Sequence, residues 1–342
     1  MRKLRVVIMM DELLIPPPDA AGMTADARAP FKTEYDVLAA VRGLGHDVRV
    51  VGVKSDLAPL DRELAAFDPH VCFNLVEDFD GVAARDQHVV SYLELGNWPY
   101  TGCNPRGLTL ARDKALTKKI LSYHGVRCPH FAVFPRRRAV RRAPALAFPL
   151  LVKSLTEEGS AAIAHASIVH TDKELADRVA FVHEKVGTDA IAEQYVDGRE
   201  LYVGVIGNVQ LQTLPVWELC LDHLPEGAPR IATSKVKWDL DYQKRFDIRS
   251  GAAADLPTGA EQYINDLCKE AYRSLGLSGY ARMDLRLTAD GEVYLIEANA
   301  NPQITADEDF ADSARAAGFD YESLIQRILK LGLSYRPLGL AA

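Results

Sequence analysis

A chain of 342 residues is longer than one ordinary hydrophobic core supports, so two or three packed units are expected. With 48% hydrophobic and 25% charged residues the composition is that of a soluble globular protein, and the formal charge of −7 argues against general nucleic-acid binding, which needs a cationic surface. No apolar run is long enough to cross a bilayer, Asp11 and Glu12 cut short the leader-like start, and the five cysteines (Cys72, Cys103, Cys128, Cys220, Cys268) form no CxxC pair; a reduced, cytoplasmic protein with no membrane partner is expected.

In chain order, strand signals at 4–10, 47–53 and 71–76 alternate with helix signals at 33–44, ended by Gly45, and at 86–95. Strands separated by helices imply a parallel α/β sheet, interrupted by an exposed proline-rich loop at 16–30. A helix at 108–123 and a strand at 130–134 follow, then a basic, proline-bounded segment, 135–149, read as a solvated linker. From 150 to about 206 the strand, loop, strand, helix, strand pattern predicts a separate α+β unit. A long polar loop at 221–257, a helix at 262–275, a hairpin at 280–299 and a last helical segment complete the chain, giving units at 1–107, 108–206 and 207–335.

The hairpin is the most informative segment. Asp290-Gly291 signals a two-residue type I′ turn, which sets Asp284 opposite Glu297 and Arg282 opposite Asn299, all four on one face. Facing carboxylates about 4.5–5.5 Å apart repel unless something positive intervenes. A divalent cation would answer that, since carboxylate and amide oxygens are what Mg²⁺ selects; a solvated outer face that tolerates its two acids is the other account.

Three further segments carry polar chemistry. A short apolar strand ends in Lys153 and is followed by small residues, including Gly159 and Ser160, whose amides could approach phosphate oxygens. Lys114 follows Asp113 at a helix start, and the run Glu193, Gln194, Tyr195, Val196 leads through an Asp197-Gly198 turn to Glu200 on a return strand. Each admits a bland reading as surface turn, solvated helix start or plain hairpin.

Taken in order, Pro99-Tyr100-Thr101-Gly102, Asp113-Lys114, Val152-Lys153, Gly159-Ser160, Glu193 through Glu200, Arg282-Met283-Asp284 and Glu297-Ala298-Asn299-Ala300-Asn301-Pro302 resemble the ATP-grasp superfamily, and most closely its D-alanine–D-alanine ligase branch. The resemblance implies an α/β and α+β multidomain chain: an ATP-grasp fold behind an N-terminal, Rossmann-like parallel-sheet domain. It implies that Lys114 and Lys153 contact ATP phosphates under a mobile loop holding Gly159 and Ser160. The backbone of Glu193, Gln194, Tyr195 and Val196 would receive adenine and Glu200 the ribose. Asp284, Glu297 and Asn299 would hold two Mg²⁺ ions, with Mn²⁺ as a substitute, and Arg282 would face the reacting carbonyl. The implied reaction joins the carboxylate of an amino acid or small peptide to an amine through an acyl-phosphate, releasing ADP and phosphate, in a homodimer.

The departures from the family pattern gather at the substrate end. Glu34 stands in for the glutamate that the ligases carry after their first strand, Leu75-Val76-Glu77-Asp78 replaces an Ala-Leu-His-Gly run, and Gln303 follows Pro302 where a glycine is usual. Lys235, Lys237 and Tyr242 occupy the lid region as candidate substrate contacts. Glu77, Asp78 and Asp80 there favour a cationic or amine-bearing substrate. Two rival readings stand beside the main one: a true D-alanine–D-alanine ligase, and a non-catalytic ATP-binding regulator. The absence of a glycine-rich fingerprint after the first strand argues against a dinucleotide oxidoreductase.

Overall fold

A computed structural model describes residues 3–157, 163–225, 228 and 230–337 and folds them around three sheets. The first is parallel and three-stranded, with β1 (Arg5–Asp11) between β2 (Asp47–Val53) and β3 (Val71–Asn74). Alternate residues of β1 feed two different cores. Val6, Ile8 and Met10 pack with Val37 and Val41 of α1 (Lys32–Gly43), while Val7 and Met9 pack with Leu60 and Leu64 of α2 (Ala58–Phe67) and Leu93 of α3 (Asp86–Leu95). Burial on both faces is why the strand reads as an unbroken apolar run. The C-terminal helix returns to this sheet and adds Leu324, Ile325 and Ile328 to the same core as Val6.

After α4 (Pro105–Arg112) and α5 (Lys114–Tyr123), an antiparallel sheet forms from β4 (Phe131–Phe134), β5 (Leu150–Ser154), β6 (Ile168–Val169) and β7 (Ala190–Gln194), in the order β4-β7-β5-β6. Leu175 and Val179 of α6 (Asp172–Phe181) close its core. The third sheet is β11-β10-β8-β12-β13, built from β8 (Arg199–Ile206), β10 (Trp217–Cys220), β11 (Arg249–Ala252), β12 (Tyr280–Leu287) and β13 (Val293–Asn299), with β9 (Gln212–Thr213) on β8.

Four details differ from the sequence expectation. The 221–257 stretch is no plain loop, since α7 (Ser234–Trp238), α8 (Leu240–Arg245) and β11 lie within it. The 135–149 segment is tied down, with Leu146 in the core and Arg142 paired to Asp172 at 2.7 Å and stacked on Phe148. The Asp197-Gly198 turn does not make a hairpin: β7 and β8 diverge into different sheets, so the passage between sheets precedes Arg199 rather than following Ile206. Gly198 permits this crossing, because a Cβ there would sit 2.4 Å from the Leu287 carbonyl oxygen. On β8, β12 and β13 packs α9 (Ala260–Ser274), with Ile264, Leu267, Cys268, Ala271 and Tyr272 at helical spacing facing the sheet; α10 (Asp309–Ala316) and α11 (Tyr321–Ser334) end the fold.

The fourth detail is the hairpin. Its loop is three residues, Ala289 to Gly291, closed by Thr288 and Glu292, with Gly291 at φ +87°. That loop sets Leu287 opposite Val293 and Leu285 opposite Leu295, one residue out of the expected register. A β-bulge then places Ile296 as an extra residue, and beyond it Asp284 faces Glu297 and Arg282 faces Asn299 as expected. Without the bulge, Glu297 would share the face of Val293 and Leu295, which are in the core.

Candidate active site

The bulge leaves the Ile296 carbonyl without its regular ladder position, and Lys118 meets it: Nζ donates to that oxygen at 2.6 Å. The same ammonium lies 3.0 Å from Glu193 Oε1, and Lys153 Nζ lies 3.2 Å from the same oxygen. Lys153 also reaches Glu297 Oε2 at 3.9 Å, and Lys114 lies 3.1 Å from Glu297 Oε1 while donating to the Glu157 carbonyl at 2.7 Å. All three lysines and Glu193 are buried. Burial alone would raise the two acids. Instead Lys118 and Lys153 hold Glu193 below the usual carboxylate range, and Lys114 and Lys153 hold Glu297 down at about 2.

Lys114 and Lys118 reach this point because they sit one turn apart on α5, whose start is capped by Asp113 accepting from the Ala115 and Leu116 amides. Lys118 was not among the residues singled out from sequence. The available signal was its place four residues after Lys114, on a stripe shared with buried Ala115 and Leu121.

On the hairpin face, Arg282 grips Asp284 with two hydrogen bonds of 2.7 and 2.8 Å and lies 4.7 Å over the Tyr202 ring. The repulsion expected between Asp284 and Glu297 is thus answered by side-chain cations: Arg282 for one acid, Lys114 and Lys153 for the other. Glu200 accepts from Arg286 at 2.6 Å and from the Tyr202 hydroxyl at 2.8 Å, on the same face. Asn299 Oδ1 accepts from the Asn301 amide at 3.1 Å.

Two carboxylates and one amide oxygen from Asp284, Glu297 and Asn299 suit Mg²⁺, which takes one or two protein carboxylates and completes its shell from phosphates and water. Among the described residues no group of three or more His, Cys, Asp or Glu side chains is arranged to hold a metal, so a cation here requires ligand oxygens.

Of the adenine segment, Gln194 and Tyr195 spend their amides on the His130 and Pro149 carbonyls at 2.7 and 3.0 Å, which leaves the carbonyls and the Val196 end to present. Gly159 and Ser160 lie outside the described residues. Pro99 to Gly102 is a structural junction: Tyr100 and Thr101 are buried, and Thr101 Oγ1 accepts from the Asn74 amide at 3.0 Å. In the lid region Lys237 lies within electrostatic reach of Asp309, itself beside Arg282 and Asp284; Lys235 is exposed and Tyr242 packs on Phe246. Glu34 is 6% exposed and lines a cleft with Thr33, Asn74, Glu77, Asn301 and Gln303, apart from the lysine cluster.

Two predictions follow from this electrostatics. Lys118→Met would orphan the Ile296 carbonyl and remove one of the two cations on Glu193, costing about 3 kcal/mol; thermal unfolding should show a clear fall in Tm together with weakened nucleotide binding. For Glu34, burial pushes the carboxyl up to about 7 from 4.5, with Glu77 and Asp11 adding to the push. The folded state therefore holds a proton that the unfolded chain gives up, and stability is lost as pH rises between those values, by about 3 kcal/mol when complete. Glu34→Gln removes that loss, so its Tm advantage over the parent should be small at pH 5 and full by pH 8; a pH-independent difference would contradict it.

Comparison with known proteins points to one family. A family model described as D-ala D-ala ligase C-terminus matches residues 120–330. A D-alanine–D-alanine ligase of Nitratidesulfovibrio vulgaris (strain Hildenborough) is 32% identical over 316 residues, 89% of this chain and 96% of that one. An uncharacterized protein of Sinorhizobium fredii, y4sG, is 31% identical over 299 residues, 86% of this chain and 85% of its own length. The crystal structure of the Bacillus anthracis D-alanine–D-alanine ligase complexed with ATP shares the fold, with TM-score 0.72, 22% identity and coverage of 96% and 97% of the two chains. With a family model spanning more than half its length and relatives of this identity along most of it, the chain belongs to the D-alanine–D-alanine ligase family of ATP-grasp enzymes.

Proposed function

We propose that this enzyme uses ATP to activate the carboxylate of an amino acid or small peptide as an acyl-phosphate, then couples it to an amine, releasing ADP and phosphate. The observation that carries the reading is the charge count of the buried cluster. Among the described residues, Lys114, Lys118 and Lys153 are ion-paired to two acids, Glu193 and Glu297, while Arg282 and Asp284 neutralise each other. A surplus cation in a dry interior calls for an anion, and a polyphosphate is the anion for which lysines and carboxylates on adjoining elements are suited.

In this reading the nucleotide lies between the β4-β7-β5-β6 sheet and the third sheet. The carbonyls and Val196 end of the 193–196 segment receive the adenine, and Glu200 takes the ribose hydroxyls. Asp284, Glu297 and Asn299 would hold Mg²⁺, or Mn²⁺ with the same oxygen ligands, which would neutralise charge on the transferring phosphoryl group. Lys114 and Lys153, which stand beside Glu297, would contact the phosphate oxygens. The substrate carboxylate oxygen attacks the γ-phosphorus, ADP leaves, and the amine then attacks the acyl carbon. Arg282 donates to the carbonyl oxygen as it becomes an oxyanion and again as phosphate departs. Glu34 receives the ammonium of the substrate seated against α1.

The deciding experiment incubates the protein with ATP, Mg²⁺ and pairs of amino acids of both stereochemistries, beginning with D-alanine because of the relatives' names. Phosphate release and product mass are followed. Release that requires a second substrate, an amide product, loss of turnover with chelator and recovery with Mg²⁺ or Mn²⁺ are expected; ATP binding with no acceptor-stimulated turnover would instead support a regulator. Arg282→Met should lower kcat about 10²–10³-fold with little change in the KM for ATP, since its contact is with the reacting carbonyl.

A further inference from the structure

Beside the nucleotide cluster lies a second polar site with the opposite charge. A narrow cleft runs between the start of α1 and the residues after β3, with Glu34, Asn74, Glu77, Tyr280, Asn301 and Gln303 in its wall. Glu34 is buried and Glu77 is exposed, which sets one acid in the depth of the cleft and the other at its mouth. No lysine, arginine or histidine is among the described residues that line it. Lys32 pairs with Asp36 at 2.8 Å and donates to the Ala306 carbonyl, while Arg112 forms its ion pair with Asp86 at 2.5 Å and reaches Glu77 only through the longer-range attraction of its charge. Apart from its own backbone, Glu34 has no hydrogen-bond or ion-pair partner among the described residues.

A carboxylate more than nine-tenths buried and lacking a partner is costly unless a ligand supplies the cation. One ammonium satisfies one acid; it does not account for a second carboxylate on the same small cleft, close enough to push Glu34 toward its protonated form. We propose that the cleft selects a substrate with two cationic nitrogens, an amino acid or short peptide whose α-ammonium meets Glu34 and whose basic side chain ends at Glu77, with the Asn74, Asn301 and Gln303 amides left for its uncharged polar groups. The inference rests on the ligase reading for the identity of the site as a substrate pocket, and Glu77 is its specificity-determining residue. Electrostatic complementarity of this kind discriminates through unpaired charge: a neutral side chain leaves Glu77 as it is, while an acidic one is repelled.

The test is calorimetric binding to the full-length protein loaded with a non-hydrolysable ATP analogue and Mg²⁺, which reads affinity whether or not turnover occurs. Lysine, ornithine and 2,4-diaminobutyrate, in both enantiomers, are compared with the neutral isosteres 2-aminoheptanoate, norleucine and norvaline. At least one diamino acid should bind about tenfold more tightly than its isostere, and Glu77→Gln should erase that ratio while leaving the isostere's affinity unchanged. Glu77→Lys should invert it toward glutamate. Equal affinity for charged and neutral members, or a ratio that survives Glu77→Gln, would overturn the proposal. Failure of the ligase reading shows separately, as diamino-acid binding with no ATP turnover for any pair.

Discussion

A carboxylate placed in a protein interior stays ionised only if cations stand against it, and in this chain that requirement couples two sheets. Glu193 belongs to β7 and Glu297 to β13, on different sheets, and neither has a cation of its own strand beside it. Lys118 and Lys114 from α5 and Lys153 from β5 supply the charge. Because Lys153 serves both acids and Lys118 serves both Glu193 and the Ile296 carbonyl, no member can be removed without leaving another buried group short of a partner. The helix thereby acts as a polar clamp between sheets whose apolar cores are otherwise separate.

The clamp has its counterpart in the bulge at Ile296. A regular hairpin closed by the three-residue loop would aim Glu297 into the core, where no cation waits. One extra residue reverses the facing of everything after it, bringing Glu297 and Asn299 to the side of Arg282 and Asp284 and freeing a backbone carbonyl for Lys118. A single backbone irregularity thus accounts for both the position of the acids and the burial of the lysine. The surplus positive charge that remains makes the unliganded cluster one that an anion stabilises, so nucleotide binding and the stability of this region are linked.

The two polar sites divide the chemistry by sign. The lysine cluster suits an anionic nucleotide; the Glu34 and Glu77 cleft suits a cationic substrate. Arg282, on the hairpin face, is held by Asp284 and stacked on Tyr202, which fixes the guanidinium plane without using all of its donors. Family resemblance accounts for the first site, while at the second Glu77 and Gln303 depart from the family pattern.

The sequence alone determined what local rules govern. Apolar runs marked the strands of the first sheet and period-two alternation those of the hairpin, Asp113 marked the start of α5, and ordered motifs from Pro99 to Pro302 carried the family resemblance. It also paired Asp284 with Glu297, although through a two-residue turn that the chain does not make: the longer loop and the bulge shift the register in opposite senses and cancel. What the tertiary structure decided is whatever depends on contacts between distant residues. The divergence of β7 and β8 into separate sheets and the return of the last helix to the first sheet have no signature in neighbouring residues, and for Lys118 the helical stripe it shares with Lys114 hints at burial without naming its partners. A lysine's surroundings are set by which elements pack around it, and so the cations that answer the two acids could be identified only once α5 and β5 were placed against the hairpin.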